Sequence, residues 1–263
     1  MNADRLLIDH ILAPGTFTIV FQPILEVRGG VERLHGVECL TRGLPGTALE
    51  SPVVLFEYAR RRGLEARADR TCVNAAIEAC ARLPSDVRVS VNVHASTLGR
   101  DAGFPEFLAG RSRACGIDPS RVTVEVVEHA PPIDDVAFAI ALGKLRAKGM
   151  RIALDDVGLG HSNFKMMIDC RPDYFKIDGY FVRGAAGDAY RRDLLDAVAR
   201  LARSAKARVV AEGVEELVDY EAVKRVGIDL VQGYLFSRPL SGEELRNYPL
   251  LPPSTSGTVA IAR

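Results

Sequence analysis

A chain of 263 residues, 48% hydrophobic and 26% charged, carries enough apolar material to bury one large core, so a single domain is the expected count. Its 34 Lys plus Arg balance its 34 Asp plus Glu, which gives no broad electrostatic case for a nucleic-acid polymer or an anionic membrane as partner; any phosphate binding must be local. The opening MNADRLLIDHILAPG lacks a signal peptide's apolar core and cleavage site, no stretch approaches the roughly 18 apolar residues of a membrane span, and the cysteines form no CxxC pair. A reduced protein of the cytoplasm is expected.

Two β-rich runs, Thr18 to Val27 and Val31 to Leu40, flank Gly29-Gly30, and so short a connection joins only antiparallel strands. Ser51-Pro52 then reads as an N-cap with Pro at the first helical position, and the helix VVLFEYARRR stops at Gly63. The basic run Arg60-Arg61-Arg62 sits where cations offset the helix dipole. A second helix is expected from about Leu64 to Leu83. Beyond it, β-branched runs near Val87, Val122, Arg151, Asp173, Arg208 and Ile228 alternate with amphipathic stretches such as DDVAFAIALGKLRAKG, the pattern of parallel strands with helical crossovers. With the opening pair the strands number about eight, at which such a sheet commonly closes into a barrel. The prediction is one domain over residues 1–250 and a frayed tail over 251–263, where Pro-Pro is followed by Ser, Thr and Gly with no helical period.

Glu38, Asn92, Glu125, Asp155, Lys176, Glu212 and Gln232 each fall at or near the C-terminal end of a different predicted strand, the rim where barrel enzymes build their sites. Converging Glu38, Asn92, Glu125 and Asp155 would leave too much uncompensated negative charge, so a cation is implied, and all-oxygen donors select a hard ion such as Mg²⁺ or Mn²⁺ over zinc. Asp156 would reach the same site only if the chain turns out of the strand there, for which Gly158 and Gly160 supply the means, and it could then hold a second ion. Lys176 offers positive charge for an attacking water or a phosphorane-like transition state, and Glu212 could accept the water's proton. The string GLGHSN from Gly158 lacks the third glycine of a dinucleotide loop and reads as a turn into a helix capped by Ser162, with His161 as loop structure.

From Phe21 to about Pro239 the chain resembles the EAL-domain phosphodiesterases of bacterial cyclic di-GMP signalling. The signature glutamate stands in Val37-Glu38-Cys39-Leu40-Thr41-Arg42, with Cys in place of Ala; Phe21-Gln22-Pro23-Ile24 matches the opening strand. Ser90-Val91-Asn92-Val93, Glu125-Val126-Val127-Glu128, Asp155-Asp156, Asp173-Tyr174-Phe175-Lys176-Ile177-Asp178, Ala211-Glu212-Gly213-Val214-Glu215 and Val231-Gln232-Gly233-Tyr234 complete the series. The resemblance implies a modified TIM (β/α)8 barrel with its first strand antiparallel, and metal-dependent opening of cyclic di-GMP to linear pGpG by a homodimer. It implies two Mg²⁺ or Mn²⁺ ions held by Glu38, Asn92, Glu125, Asp155 and Asp156, with Ca²⁺ inhibitory. It assigns Gln22 and Arg42 to the substrate, Lys176 and Glu212 to the attacking water, Glu128 to steadying the loop after the double aspartate, and Gln232 to supporting the metal and water site.

One departure stands out: the family's Asp-Asp-Phe-Gly, then Thr or Ser, Gly and an aromatic residue before Ser, is here Asp155-Asp156-Val157-Gly158-Leu159-Gly160-His161-Ser162. A looser loop and low turnover are expected. The alternative, a catalytically weak or inactive domain that serves as a cyclic di-GMP receptor or protein-interaction module, predicts lost metal ligands, and none is missing.

Overall fold

The computed structural model describes residues 11–13, 15–28, 31–127, 134–159, 164–228 and 230–249. The strands β1 (Thr18–Arg28), β2 (Val31–Arg42), β3 (Arg88–His94), β4 (Val122–Val127), β5 (Arg151–Val157), β6 (Tyr174–Ile177), β7 (Arg208–Ala211) and β8 (Leu230–Val231) close in sequence order into a barrel. β1 runs antiparallel to both β2 and β8, and every other pairing is parallel. The expected reversed first strand is therefore present, although the Gly29-Gly30 turn lies outside the described residues, as does the tail.

Around the barrel lie α1 (Pro52–Arg61), α2 (Glu65–Cys80), α3 (Ala95–Arg100), α4 (Phe104–Ala114), α5 (Asp135–Ala147), α6 (Phe164–Cys170), α7 (Gly179–Val182), α8 (Ala189–Ser204), α9 (Leu217–Arg225) and α10 (Gly242–Arg246). α1 stops as expected, with Gly63 left-handed at φ 68°. Its start differs in detail: Ser51 has an extended backbone but its side chain makes no capping hydrogen bond, leaving Pro52, which has no N–H to satisfy, as the start signal. α2 ends at Cys80, short of the expected Leu83. Asp134 caps α5 by accepting from the backbone N–H groups of Val136 and Ala137.

The period-two alternation of the strands sorts the core into two shells. Val89, Val91 and Val93 of β3, Val122, Val124 and Val126 of β4, and Ile152 and Leu154 of β5 pack outward under the helices in the main cluster. Ile24, Ala153, Tyr174, Val210 and Leu230 form a separate inner cluster. The inward positions between and beyond them carry Ser90, Asn92, Thr123, Glu125, Asp155 and Lys176, so the same alternation that buries valine outside delivers polar groups to the axis. None of the described helices is long and apolar enough to cross a membrane.

Candidate active site

Lys176 is fully enclosed and organises the barrel mouth. Its Nζ lies 2.5 Å from Glu125 Oε2, 2.8 Å from Glu212 Oε1, 2.9 Å from Asp155 Oδ1 and 3.4 Å from Glu38 Oε2. Glu38 is tied from both sides, accepting from Asn92 Nδ2 at 3.0 Å and from Gln232 Nε2 at 2.7 Å. The structure thus brings together all seven rim residues read from the sequence, although they arise differently: Glu38, Asn92, Glu125, Asp155 and Lys176 lie within strands, whereas Glu212 and Gln232 stand one residue past the short β7 and β8.

Asp156 joins them through its backbone. Its φ of +48° is left-handed, a conformation that Asp tolerates better than most residues, and the ladder between β5 and β6 slips between Leu154 and Val157. The turn that the sequence assigned to Gly158 and Gly160 therefore begins at Asp156 itself, while Gly158 follows with φ +98°. As a result, Asp155, Asp156 and Glu212 present carboxylate oxygens within 4.8 Å of one another.

Four carboxylates surround a single ammonium, with Asp156 beside them, and their protonation reflects it. For Lys176, burial opposes the charge, but Asp155, Glu125, Glu212 and Glu38 overcome it and hold the ammonium charged far above its usual range. Burial would raise the Glu38 carboxyl as well; the Lys176 charge and the hydrogen bonds from Asn92 and Gln232 outweigh it and leave Glu38 below its ordinary value. Burial, with the Glu38 charge, pushes Glu125 up to about 8 despite Lys176. Asp156 rises to about 6 through burial and the adjacent Asp155, and burial drives Glu212 well above the carboxylate range. Such an excess of acid fits a divalent cation, and the donors are all oxygen. Gln232 points the same way, since its buried Oε1 has no hydrogen-bond partner among the described residues. Glu38, Asn92, Glu125, Asp155, Asp156 and Glu212 are the residues that could hold metal.

Gln22 pairs in register with Glu38 on the antiparallel neighbour, which places it at the same mouth. Arg42, at the end of β2, lines a cavity of about 440 Å³ that runs from Glu38, Asn92 and Asp155 towards α1 and α2. Glu128, His161 and Ser162 lie outside the described residues. The cavity also exposes what the sequence reading missed. Arg60, read as a helix-end charge, lines this space and is forked onto Glu57, with Nε at 3.0 Å and the terminal nitrogen at 2.7 Å. His94, two residues beyond Asn92, is buried against Asp69, with Nδ1 at 2.9 Å from the carboxylate, and its ring packs 4.6 Å from that of Phe56. The available signal was that Glu65 and Asp69 recur one turn apart on the apolar face of α2, beside Ala68, Cys72 and Val73.

The EAL domain family model matches residues 7–239. The chain is 30% identical over 236 residues to the cyclic di-GMP phosphodiesterase PA2567 of Pseudomonas aeruginosa, covering 88% of this chain and 40% of that protein. To the probable cyclic di-GMP phosphodiesterase PdeG of Escherichia coli it is 31% identical over 232 residues, 86% of this chain and 45% of the other. It therefore spans less than half the length of these curated relatives. Among solved structures it resembles the c-di-GMP complex of the PaMucR phosphodiesterase, with 27% identity, a TM-score of 0.78 and coverage of 92% and 99%. It also resembles the manganese/cy-diGMP complex of Klebsiella pneumoniae BlrP1, with 29% identity, a TM-score of 0.77 and coverage of 88% and 58%. With the family model spanning the barrel and the rim residues of its motifs gathered at one mouth, the chain belongs to the EAL domain family.

Proposed function

We propose that this chain is a metal-dependent phosphodiesterase that opens cyclic di-GMP to linear pGpG. The observation that carries the reading is the placement of Lys176 Nζ between Asp155 and Glu212, at 2.9 and 2.8 Å, beside the Asp155–Asp156–Glu212 group. Relatives named as cyclic di-GMP phosphodiesterases support it, as do neighbours solved with that ligand and with calcium or manganese. Two Mg²⁺ or Mn²⁺ ions held by Glu38, Asn92, Glu125, Asp155 and Asp156 would acidify a water and neutralise charge on the scissile phosphate. Glu212, 2.8 Å from Lys176 Nζ and grouped with Asp155 and Asp156, takes the proton from that water once the bound ions have drawn it into its carboxylate form. Lys176 orients the water and stabilises the charge that develops as the new O–P bond forms. The P–O3′ bond breaks, the departing O3′ takes up a proton from solvent while Glu212 holds the one from the attacking water, and the product keeps a 5′-phosphate at one end and gains a 3′-hydroxyl at the other.

Gln22 and Arg42 contact the substrate, Arg42 through a charge-assisted bond to phosphate. The 440 Å³ cavity, walled by Phe56, Arg60 and His94, lies within the usual range for a small-molecule site and receives part of the dinucleotide. On this reading Gln232 supports the metal and water site, Glu128 steadies the loop after Asp156, Ca²⁺ occupies the site without turnover, and the chain acts in the cytoplasm as a homodimer.

The test is purified protein with cyclic di-GMP and Mg²⁺ or Mn²⁺, products separated by chromatography, and affinity measured by calorimetry in Ca²⁺. Linear pGpG is expected. Tight binding with no pGpG under any of these metals would replace the enzyme with a receptor.

A further inference from the structure

The layer of inward side chains just below the rim is unevenly filled. β2, β3, β4 and β5 contribute Gly36, Ser90, Thr123 and Ala153, all small, whereas β6, β7, β8 and β1 contribute Tyr174, Val210, Leu230 and Ile24. Barrel interiors of this type are normally packed by bulky branched residues. Nothing larger fits at Gly36, where a Cβ would meet Arg88 Cβ and its carbonyl oxygen at 2.9 Å. The imbalance leaves a void of about 20 Å³ lined by Ser90, Thr123, Glu125, Lys176, Tyr174 and His35, among others. That is room enough for about one water.

The lining decides whether such a void is wet. Ser90 and Thr123 are 7% and 3% exposed, and they are paired in register between β3 and β4, so both hydroxyls face the same space. Neither hydroxyl makes a hydrogen bond to any described residue, and a buried hydroxyl left without a partner is costly. Glu125 lies two residues further along β4 on the same face, directly above Thr123. Lys176 directs its donors to carboxylates. Tyr174 OH and His35 Nε2, joined by a 3.1 Å hydrogen bond, also line the space.

We propose that this void is a water site, that Ser90 and Thr123 hold the water, and that the water donates to the Glu125 carboxylate and fixes its orientation from beneath. Ser90 and Thr123 are then positioning residues for Glu125. The effects on turnover and on metal binding rest on the proposed reading, in which Glu125 is a metal ligand; the water itself does not.

Thr123→Val removes the hydroxyl at nearly constant shape, and Thr123→Ser restores it. Crystals of the wild type and of Thr123→Ser should show one water within hydrogen-bonding distance of the Ser90 and residue-123 hydroxyls, and Thr123→Val should show none. Mn²⁺ affinity by calorimetry should weaken on the order of tenfold in Thr123→Val, the usual scale for losing a group that orients a metal ligand, and recover in Thr123→Ser. If Thr123→Val fails to fold, Ser90→Ala carries the same comparison. Where turnover is measurable, kcat should fall with KM unchanged. An empty void in the wild type overturns the proposal, and so does Thr123→Val binding Mn²⁺ as the wild type does. A wild type that makes no pGpG overturns the enzyme reading alone, leaving density and Mn²⁺ affinity to judge the water.

Discussion

Lys176, itself buried, shares one positive charge among Glu125, Glu212, Asp155 and Glu38, at 2.5 to 3.4 Å. Low polarity strengthens those attractions and also makes any uncompensated carboxylate expensive. Replacing Lys176 by Ala is therefore expected to destabilise the metal-free protein by about 3 to 5 kcal/mol, read by denaturant unfolding in chelator, because it strands buried acids. On the proposed mechanism, turnover should fall by orders of magnitude while affinity for cyclic di-GMP in Ca²⁺ changes little, since the lysine acts on the transition state. Equal loss of binding and rate would assign Lys176 to the substrate instead.

The segment that leaves β5 is where geometry and composition disagree most with the family pattern. Asp156 and Gly158 both have positive φ, and the space at Gly158 is closed by the Phe181 ring, which an added Cβ would meet at 2.8 Å. Val157, at the position where the family carries Phe, is buried in the main core. Enlarging it to Phe must displace neighbours, at about 1 to 3 kcal/mol. Leu159 carries no such constraint, since it is only partly buried. Leu159→Thr with His161→Tyr is accordingly expected to raise turnover without lowering the melting temperature, because misplacing a catalytic group by about 1 Å can cost on the order of a hundredfold. Adding Val157→Phe should lower the melting temperature further than it helps the rate. Steady-state rates and melting curves of the double and triple variants decide this, and an unchanged rate in the double variant would remove the loop as the cause of low activity.

At the scale of the whole barrel, the metal ligands proposed above come from β2, β3, β4 and β5, so an ion held by them would clamp four strands at once. At a hundredfold excess over its Kd such an ion adds about 2.7 kcal/mol of stability. Its competitor is the proton. Glu125 and Asp156 titrate near 8 and 6 in the metal-free fold, both above their ordinary values of 4.5 and 3.8. Their contribution to metal-free stability is complete below the ordinary values and is lost as pH rises through 6 and then 8. Chelated protein should thus unfold more easily at pH 8 than at pH 6, while Mn²⁺ affinity and the Mn²⁺-induced rise in melting temperature should grow over the same interval as protons leave the ligands. Glu38 does not blur the test, because its lowered carboxyl acts only below 4.5. Chelated protein more stable at pH 8 would contradict this charge arrangement.

The sequence by itself determined the eight strands, the reversed β1 and the identities of the rim residues, because period-two alternation and strand ends are local properties that also set which way a side chain points. It also placed the acids of the Asp155-Asp156 pair at one mouth, though not the means, which is a left-handed Asp156 rather than the glycines after it. Only the tertiary structure decided that Lys176 gathers four carboxylates from β2, β4, β5 and the residue after β7, that Arg60 and His94, the latter held by Asp69, wall the cavity, and that the small inward residues of β2 to β5 fall on one side of the axis. Those features depend on barrel closure and on which face of α1 and α2 leans against which strand. No spacing along the chain encodes such contacts, because they form between residues tens of positions apart and are selected by the fit of whole elements.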